Sequence, residues 1–151
     1  MIGLDTNILV RYIVQDDAKQ SQAATNFIQK HCSMITPGFI NSLVLCELVW
    51  VLESAYEYSR DDIANVIEKI LRTRQFQIHE PEFMWSSLQK YREKTADFSD
   101  CYIASINYQA GCKHTVTFDK KAARLKNMVL LQKNSILKEP RLSIDNLILE
   151  D

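Results

Sequence analysis

The sequence has few residues that make tight turns, because its 151 residues include only three glycines and three prolines. An all-β sandwich or barrel needs many such turns, and fibrous or low-complexity chains are far richer in these two residues. The chain also lacks an apolar run long enough to span a membrane and a basic leader typical of a signal peptide. We therefore expect one cytoplasmic domain over residues 1–151 with no membrane segment.

Cysteine and histidine are scarce and scattered. The four cysteines include no C-x-x-C pair, and the three histidines show no spacing typical of a zinc site. Three of the cysteines lie in apolar helical patterns. We expect them to be reduced thiols, mostly buried, in a cytosolic protein.

A strong net charge is also absent, since the formal charge is −1 at pH 7. Any contact with nucleic acid must therefore come from a local patch. Residues 113–141 carry eight basic and two acidic side chains, whereas residues 142–151 carry three acidic and no basic ones. Arg11, Lys120, Lys121 and Arg124 are candidate contacts to RNA phosphates; the alternative is an ordinary solvated helix surface.

Short apolar runs alternate with helical patterns along the chain. The patterns predict strands at 1–4, 33–36, 76–79, 114–118 and 128–131. They predict helices over 6–14, 16–31, 39–58, 60–74, 82–95, 98–110 and 120–125. This alternation is typical of an α/β protein with a mostly parallel, about five-stranded sheet that helices cover on both faces. Pro140 separates a tail, residues 141–151, for which the pattern indicates neither helix nor strand in particular.

Two aspartates follow predicted strands and precede helices. Asp5 comes after the first strand, and Asp119 comes after the fourth. Sites in open parallel sheets form at the carboxyl ends of strands, so the two side chains meet if these strands are neighbours. The alternative is that each aspartate only caps the helix that follows it.

Glu47 lies within an almost wholly apolar helical stretch. Its helical neighbours are Leu43, Val44, Trp50 and Val51, none of which is a cation. A buried carboxylate without a partner costs several kcal/mol or takes up a proton. We therefore expect another segment or a metal ion to pair with it.

Asp97 and Asp100 flank the start of the sixth predicted helix. One of them can act as a helix cap or support, and we favour Asp100 for chemistry because it leads an apolar run. Two carboxylates about 5 Å apart repel by roughly 3 kcal/mol at an effective dielectric of about 20. Several carboxylates at one place therefore need a cation, and oxygen-only ligands select Mg²⁺ or Mn²⁺. Such a site suits phosphodiester hydrolysis by metal-activated water.

The order and spacing of these residues resemble the PIN domain, and in particular the VapC-like ribonucleases of toxin–antitoxin pairs. The matching features are Asp5-Thr6-Asn7, Glu47, Asp100 and Thr117-Phe118-Asp119. The resemblance covers about residues 1–131 and leaves 132–151 as a C-terminal extension. It implies a three-layer α/β/α sandwich, Mg²⁺- or Mn²⁺-dependent endoribonuclease activity, a homodimer and inhibition by an antitoxin protein.

The resemblance also implies roles for individual residues. Asp5, Glu47, Asp100 and Asp119 would be the metal-binding, catalytic acids. Thr6, Asn7 and Thr117 would hold these carboxylates and their waters, with Asp97 as a further support. An alternative is a catalytically idle PIN-fold module that binds RNA or protein. A phosphatase or receiver-like protein fits less well, because the first strand supplies Asp5 without a second acid beside it.

Overall fold

The computed structural model describes residues 1–132. The helices in this part of the chain are α1 (Thr6–Val14), α2 (Ala18–His31), α3 (Ser42–Ser54), α4 (Arg60–Arg72), α5 (Pro81–Glu93) and α6 (Phe98–Gln109). The strands are β1 (Ile2–Gly3), β2 (Gly38–Ile40), β3 (Phe76–Ile78), β4 (Thr115–Thr117) and β5 (Met128–Leu130). A 3₁₀ helix, Ala122–Arg124, lies between β4 and β5.

All strand pairs among residues 1–132 are parallel, which confirms the predicted α/β class. The hydrogen bonds divide the strands into a three-stranded sheet with the order β1-β2-β3 and a separate pair, β4-β5. β1 and β4 are therefore not hydrogen-bonded neighbours, so the condition under which Asp5 and Asp119 were expected to meet is not met. Parallel strands need crossover connections, and helices supply all of those that join β1, β2, β3 and β4.

Helix α3 lies at the centre of the core. Leu45, Leu48 and Leu52 are completely buried and recur at the spacing of one helical face. Each contributes about 1.5–3 kcal/mol relative to an exposed side chain. α3 packs against α1, α4 and α6, so it links the segments that carry the predicted site.

The second strand is not at 33–36, as the sequence predicted, but at Gly38–Ile40. Ser33 makes a local turn instead, because its hydroxyl accepts the amide of Thr36 at 3.1 Å and its own amide donates to the Thr36 carbonyl at 3.0 Å. Gly38 begins β2 at a position where the backbone lies close to the Leu4 side chain. A Cβ there would lie 2.7 Å from Leu4 Cδ1, so only glycine fits without displacement.

Helix α3 is shorter at both ends than the predicted 39–58. Phe39 and Ile40 belong to the central strand β2, and Asn41 caps the helix by accepting the Val44 amide at 2.9 Å. At the other end Glu57 adopts a positive φ of 53°, which ends the helical pattern before Tyr58.

The four cysteines are free thiols, as expected, although Cys112 is exposed. Burial raises the pKa of Cys46 and of Cys101 to about 11, so both stay protonated at neutral pH. Among residues 1–132, no helix combines the length and apolar composition needed to cross a membrane. Most of the predicted C-terminal extension, from residue 133 onward, lies outside the described residues.

Candidate active site

The first acidic segment follows β1 directly. Asp5 occupies the N-cap position of α1, but its exposed carboxylate makes no capping hydrogen bond. The alternative role as a simple helix cap is therefore not observed for this residue. Thr6 is buried beside it, and Asn7 is exposed on the first turn of α1.

Thr6 connects this segment to α3. Its hydroxyl donates a hydrogen bond of 2.5 Å to Glu47 Oε2, across 41 residues of sequence. This hydrogen bond restricts the orientation of the Glu47 side chain. The structure thus places Asp5, Thr6 and Glu47 in one neighbourhood, where α1 packs on α3.

Glu47 is exposed, which corrects the expectation of a buried carboxylate. The apolar sequence around it has a different explanation, because Leu43 and Trp50 on the same helix are 68% and 67% exposed. That side of α3 is apolar and uncovered in residues 1–132. Glu47 therefore needs no partner to offset burial, although its Oε2 accepts the Thr6 hydroxyl.

A second acidic group gathers at the start of α6. Asp97 occupies the N-cap position without a capping hydrogen bond, and Asp100 lies in the first turn, as predicted. Burial raises the pKa of Asp100, and the nearby charges of Asp97 and Asp119 raise it further. Three acidic residues from two segments thus create one region of negative potential.

Asp119 is held by the backbone that follows it. Its Oδ1 accepts the amides of Lys121 at 2.6 Å and Ala122 at 2.9 Å, and these two bonds lower its pKa. Thr117 supports the same turn, because its hydroxyl accepts the Asp119 amide at 3.0 Å. Asp119 therefore holds the turn that leads into the 3₁₀ helix, although Lys121 is the N-cap residue of that helix, and the same two bonds favour the ionised carboxylate.

The predicted acids come from the N-cap of α1, from helix α3, from the start of α6 and from the turn after β4. Thr6 links the Asp5 segment to Glu47, and the charges of Asp97 and Asp119 act on Asp100. Within residues 1–132, no group of three or more His, Cys, Asp or Glu side chains is placed to hold a metal ion. The donors are all oxygens, which suits a hard divalent cation, but the four predicted ligands do not converge in this arrangement.

The candidate RNA contacts differ in availability. Lys120, Lys121 and Arg124 are exposed and form no ion pair within residues 1–132. Arg11 instead binds both Asp16 oxygens, at 2.7 and 2.8 Å, and donates to Gln20 at 2.7 Å. Its guanidinium therefore fastens α1 to the start of α2.

Arg60 is a structural residue near the site that the sequence analysis missed. Its guanidinium donates to the Tyr91 carbonyl at 2.8 Å and to the Ala96 carbonyl at 2.5 Å, and lies 3.7 Å from the centroid of the Tyr91 ring. Ala96 immediately precedes Asp97, so this clamp fixes the approach to the acidic start of α6. The contacts span 31 and 36 residues, and no local pattern signals them.

The chain matches a known family over most of its length. A family model described as "PIN domain" matches residues 2–128, and the chain belongs to this family. Among curated proteins, the chain is similar to a VapC ribonuclease of Aquifex aeolicus (strain VF5). The two are 26% identical over 122 residues, which is 81% of this chain and 90% of that protein.

Proposed function

We propose that this chain is an endoribonuclease that hydrolyses RNA phosphodiester bonds with Mg²⁺ or Mn²⁺, and that it is the toxin of a toxin–antitoxin pair. The observation that carries the proposal is the acidic region at the start of α6. There burial and the nearby charges of Asp97 and Asp119 raise the pKa of Asp100, so the region favours a proton or a cation. The PIN domain family and the name of the relative support the reaction class.

We assign the metal ligands to Asp5, Glu47, Asp100 and Asp119. Their all-oxygen donor set fits Mg²⁺ or Mn²⁺, and three of them have exposed side chains that can rotate: Asp5, Glu47 and Asp119. Binding of one ion requires these rotations, because no three of these acids form a metal-holding group within residues 1–132. When bound, the ion supplies an activated water and stabilises the departing oxyanion.

Neighbouring polar residues position the ligands. Thr6 fixes Glu47 through its hydroxyl, and Thr117 supports the turn that carries Asp119. Asn7 and Asp97 stand beside Asp5 and Asp100 in the chain and contribute polar groups to the same region. Such supporting residues orient ligands and strengthen metal binding.

Lys120, Lys121 and Arg124 bind the RNA backbone in this proposal. They are exposed and follow the ligand Asp119 directly, so their charges offset phosphates close to the acids. Arg11 has a smaller role than the sequence suggested, because Asp16 already holds its guanidinium. Nothing in this arrangement reads base identity.

The proposed partners follow from the toxin assignment. They are an RNA substrate, an antitoxin protein and a second copy of the chain, in the cytoplasm. Large apolar side chains on α3 and α6 support the homodimer, because Leu43, Trp50 and Ile103 are 68%, 67% and 43% exposed. Exposed apolar clusters of this kind often mark protein–protein contacts.

RNA cleavage by matched variants of the full chain tests the proposal. Glu47→Gln should abolish the cleavage that Mg²⁺ or Mn²⁺ supports, while Glu53→Gln, an exposed residue on another face of α3, should retain it. Chelation should stop the reaction, and restored metal should recover it. Equal activity of the two variants, or full activity in chelator, would refute the assignment.

One observation favours the alternative of an idle PIN-fold binding module. The acidic residues in 1–132 form no three-ligand group. Such a module would bind RNA or a protein with the same affinity whether or not the divalent ion is present. Calorimetric titration with Mn²⁺, in parallel with RNA binding, separates the two functions.

A further inference from the structure

Lys90, near the end of α5, holds its ammonium group against other polar side chains without a carboxylate partner. The residue is half-buried, and its Nζ donates to Ser86 Oγ at 2.8 Å and to Ser105 Oγ at 2.6 Å. Within residues 1–132, Lys90 forms no ion pair. Burial lowers the pKa of Lys90, so the charged amine is destabilised at this position. A bound anion would offset that cost.

The hydrogen bonds around Lys90 leave donors available. An ammonium group has three N–H donors, and the two serine hydroxyls accept two of them. The buried Ser105 hydroxyl donates to the Cys101 carbonyl at 2.9 Å, so its own proton is used. For the Ser86 hydroxyl, the acceptor within residues 1–132 is Ser105 Oγ at 3.4 Å, which is long for a hydrogen bond between hydroxyls. One Lys90 N–H and the Ser86 O–H are therefore free to bind an anion.

These side chains line a cavity between α5, the second half of α6 and the start of β5, which we call the Lys90 pocket. Its volume is about 360 Å³, more than ten times the roughly 30 Å³ that a water molecule occupies in the liquid. Lys126 lines the pocket as a second cation, exposed and without an ion pair in residues 1–132. Among the described lining residues Glu82 is the only acid, and Gln109 and Asn127 add side-chain amides. The lining therefore has a positive net charge and room for more than a single small ion.

We propose that the Lys90 pocket binds a phosphate group. Lysine ammonium groups are common phosphate ligands, and hydroxyl and amide donors complete such sites. The two lysines come from separate elements, Lys90 from α5 and Lys126 from the segment before β5. A tetrahedral phosphate presents oxygens in several directions and can meet both, whereas a carboxylate presents its two oxygens in one plane. None of the four acids assigned to the metal lines this pocket, so it is a separate site.

The phosphate can come from an RNA strand or from a free nucleotide. Helix α6 favours the strand, and this step rests on the proposed function. Asp100, Ala104 and Tyr108 recur every four residues and therefore share one face of α6, and the last two line the pocket. Ser105 lies about 7–8 Å from Asp100 along the helix axis. A strand that is cleaved at the acids can therefore reach the Lys90 pocket with another of its phosphates.

NMR of isotope-labelled lysine side chains in the full chain tests the pocket, with chelator present so that cleavage plays no part. Inorganic phosphate should shift the Lys90 signal in a saturable way and raise the pKa of Lys90, because a bound anion favours the charged amine. Lys19, exposed on α2, is the internal control and should not respond. An absent shift would overturn the proposal, as would an equal response of both lysines or an equal response to acetate at the same ionic strength.

Matched variants test the same site through its affinity for inorganic phosphate. Lys90→Met should weaken binding by about tenfold or more, since a charged hydrogen bond is lost, whereas Lys19→Met should not change it. Ser86→Ala keeps the charge of Lys90 and is the milder substitution for the fold. It should also weaken binding, while Ser99→Ala, at an exposed residue of α6, should have no effect. Equal affinities within both pairs would count against the pocket.

Two further ligands identify the source of the phosphate. A short RNA that shifts the Lys90 signal and competes with inorganic phosphate would assign the pocket to an RNA strand. A nucleoside monophosphate that shifts the signal where RNA does not would assign it to a free nucleotide. An active nuclease whose Lys90 responds to none of these ligands would overturn this proposal alone. Saturable phosphate binding in a chain that cleaves no RNA would overturn only the proposed function.

Discussion

Replacement of Arg60 by methionine should destabilise the protein strongly, although Arg60 lies on the first turn of α4 and is only half-buried. Methionine keeps most of the aliphatic volume but loses three interactions. These are the hydrogen bonds to the Tyr91 and Ala96 carbonyls and the stacking of the guanidinium on the Tyr91 ring. The two carbonyls would also lose a charged donor.

The magnitude follows from these contacts. A hydrogen bond from a charged donor contributes about 1.5–3 kcal/mol, and a cation–π contact contributes about 0.5–2 kcal/mol. The contributions are not additive, and Arg60 is partly solvated, so we expect a loss of about 2–4 kcal/mol in unfolding free energy. For a chain of this size, this corresponds to a fall in Tm of roughly 4–16 °C.

Urea denaturation of two variants measures this effect. Arg60→Met should lower the midpoint without a change in slope, whereas Arg74→Met, at an exposed residue with no hydrogen bond or ion pair in residues 1–132, should change stability by less than about 0.5 kcal/mol. Exchange should also rise in the peptide that covers Ala96 and Asp97. Equal stability of the two variants would refute the clamp.

Three further predictions concern the acidic site and its surroundings. Thr6→Val should weaken Mn²⁺ binding by about 10–100-fold in calorimetry because Glu47 loses its hydrogen bond, whereas Thr6→Ser should restore most of it; equal affinities would exclude this role. Lys120→Ala/Lys121→Ala should weaken RNA binding and reduce the slope of log affinity against log salt by roughly 1–2, and an unchanged slope would exclude phosphate contacts. Asp100→Asn should stabilise the metal-free protein at pH values above the raised pKa that Asp100 has in the folded chain. Below pH 3.8, the ordinary pKa of an aspartate, the substitution should have little effect. A gain in stability that does not grow with pH would contradict the reasoning.

The sequence predicted the acidic residues well where their positions depend on local order. Asp97 and Asp100 stand at the N-cap and in the first turn of α6, and Asp119 follows β4, as expected. Such positions depend on helix-start signals and on the alternation of strands and helices, which are local patterns. The parallel α/β class follows from the same alternation.

The errors arose where a local pattern had two possible causes. The apolar surroundings of Glu47 indicated burial, but the structure leaves Leu43 and Trp50 exposed, so the pattern marks an uncovered surface. The apolar character of 33–36 indicated a strand, but the Ser33 hydroxyl supports a turn there. A sequence pattern gives the polarity of a face and does not say what covers it.

The long-range contacts had no signal in the local sequence pattern, although the family resemblance implied that Thr6 holds a carboxylate. Arg60 meets carbonyl groups 31 and 36 residues away, and Thr6 meets Glu47 across 41 residues. Backbone carbonyls are present at every position, so the identity of Arg60 did not point to its acceptors. Only the packing of α4 on α5 and of α1 on α3 determines these pairs.

A metal-binding role of Asp100 and a purely structural role predict opposite effects of the same substitution. Burial and the nearby charges of Asp97 and Asp119 raise the pKa of Asp100, so its ionised form is destabilised in the folded chain. Asp100→Asn should therefore raise the Tm of the metal-free protein at pH 7.

Millimolar Mn²⁺ should raise the Tm of the unsubstituted chain by mass action, and should shift the Tm of the variant much less. If Asp100 only supported the helix start, its loss would lower the metal-free Tm and leave any metal-induced shift unchanged. The sign of the change in the metal-free Tm and the size of the Mn²⁺-induced shift in Tm together decide between the two roles.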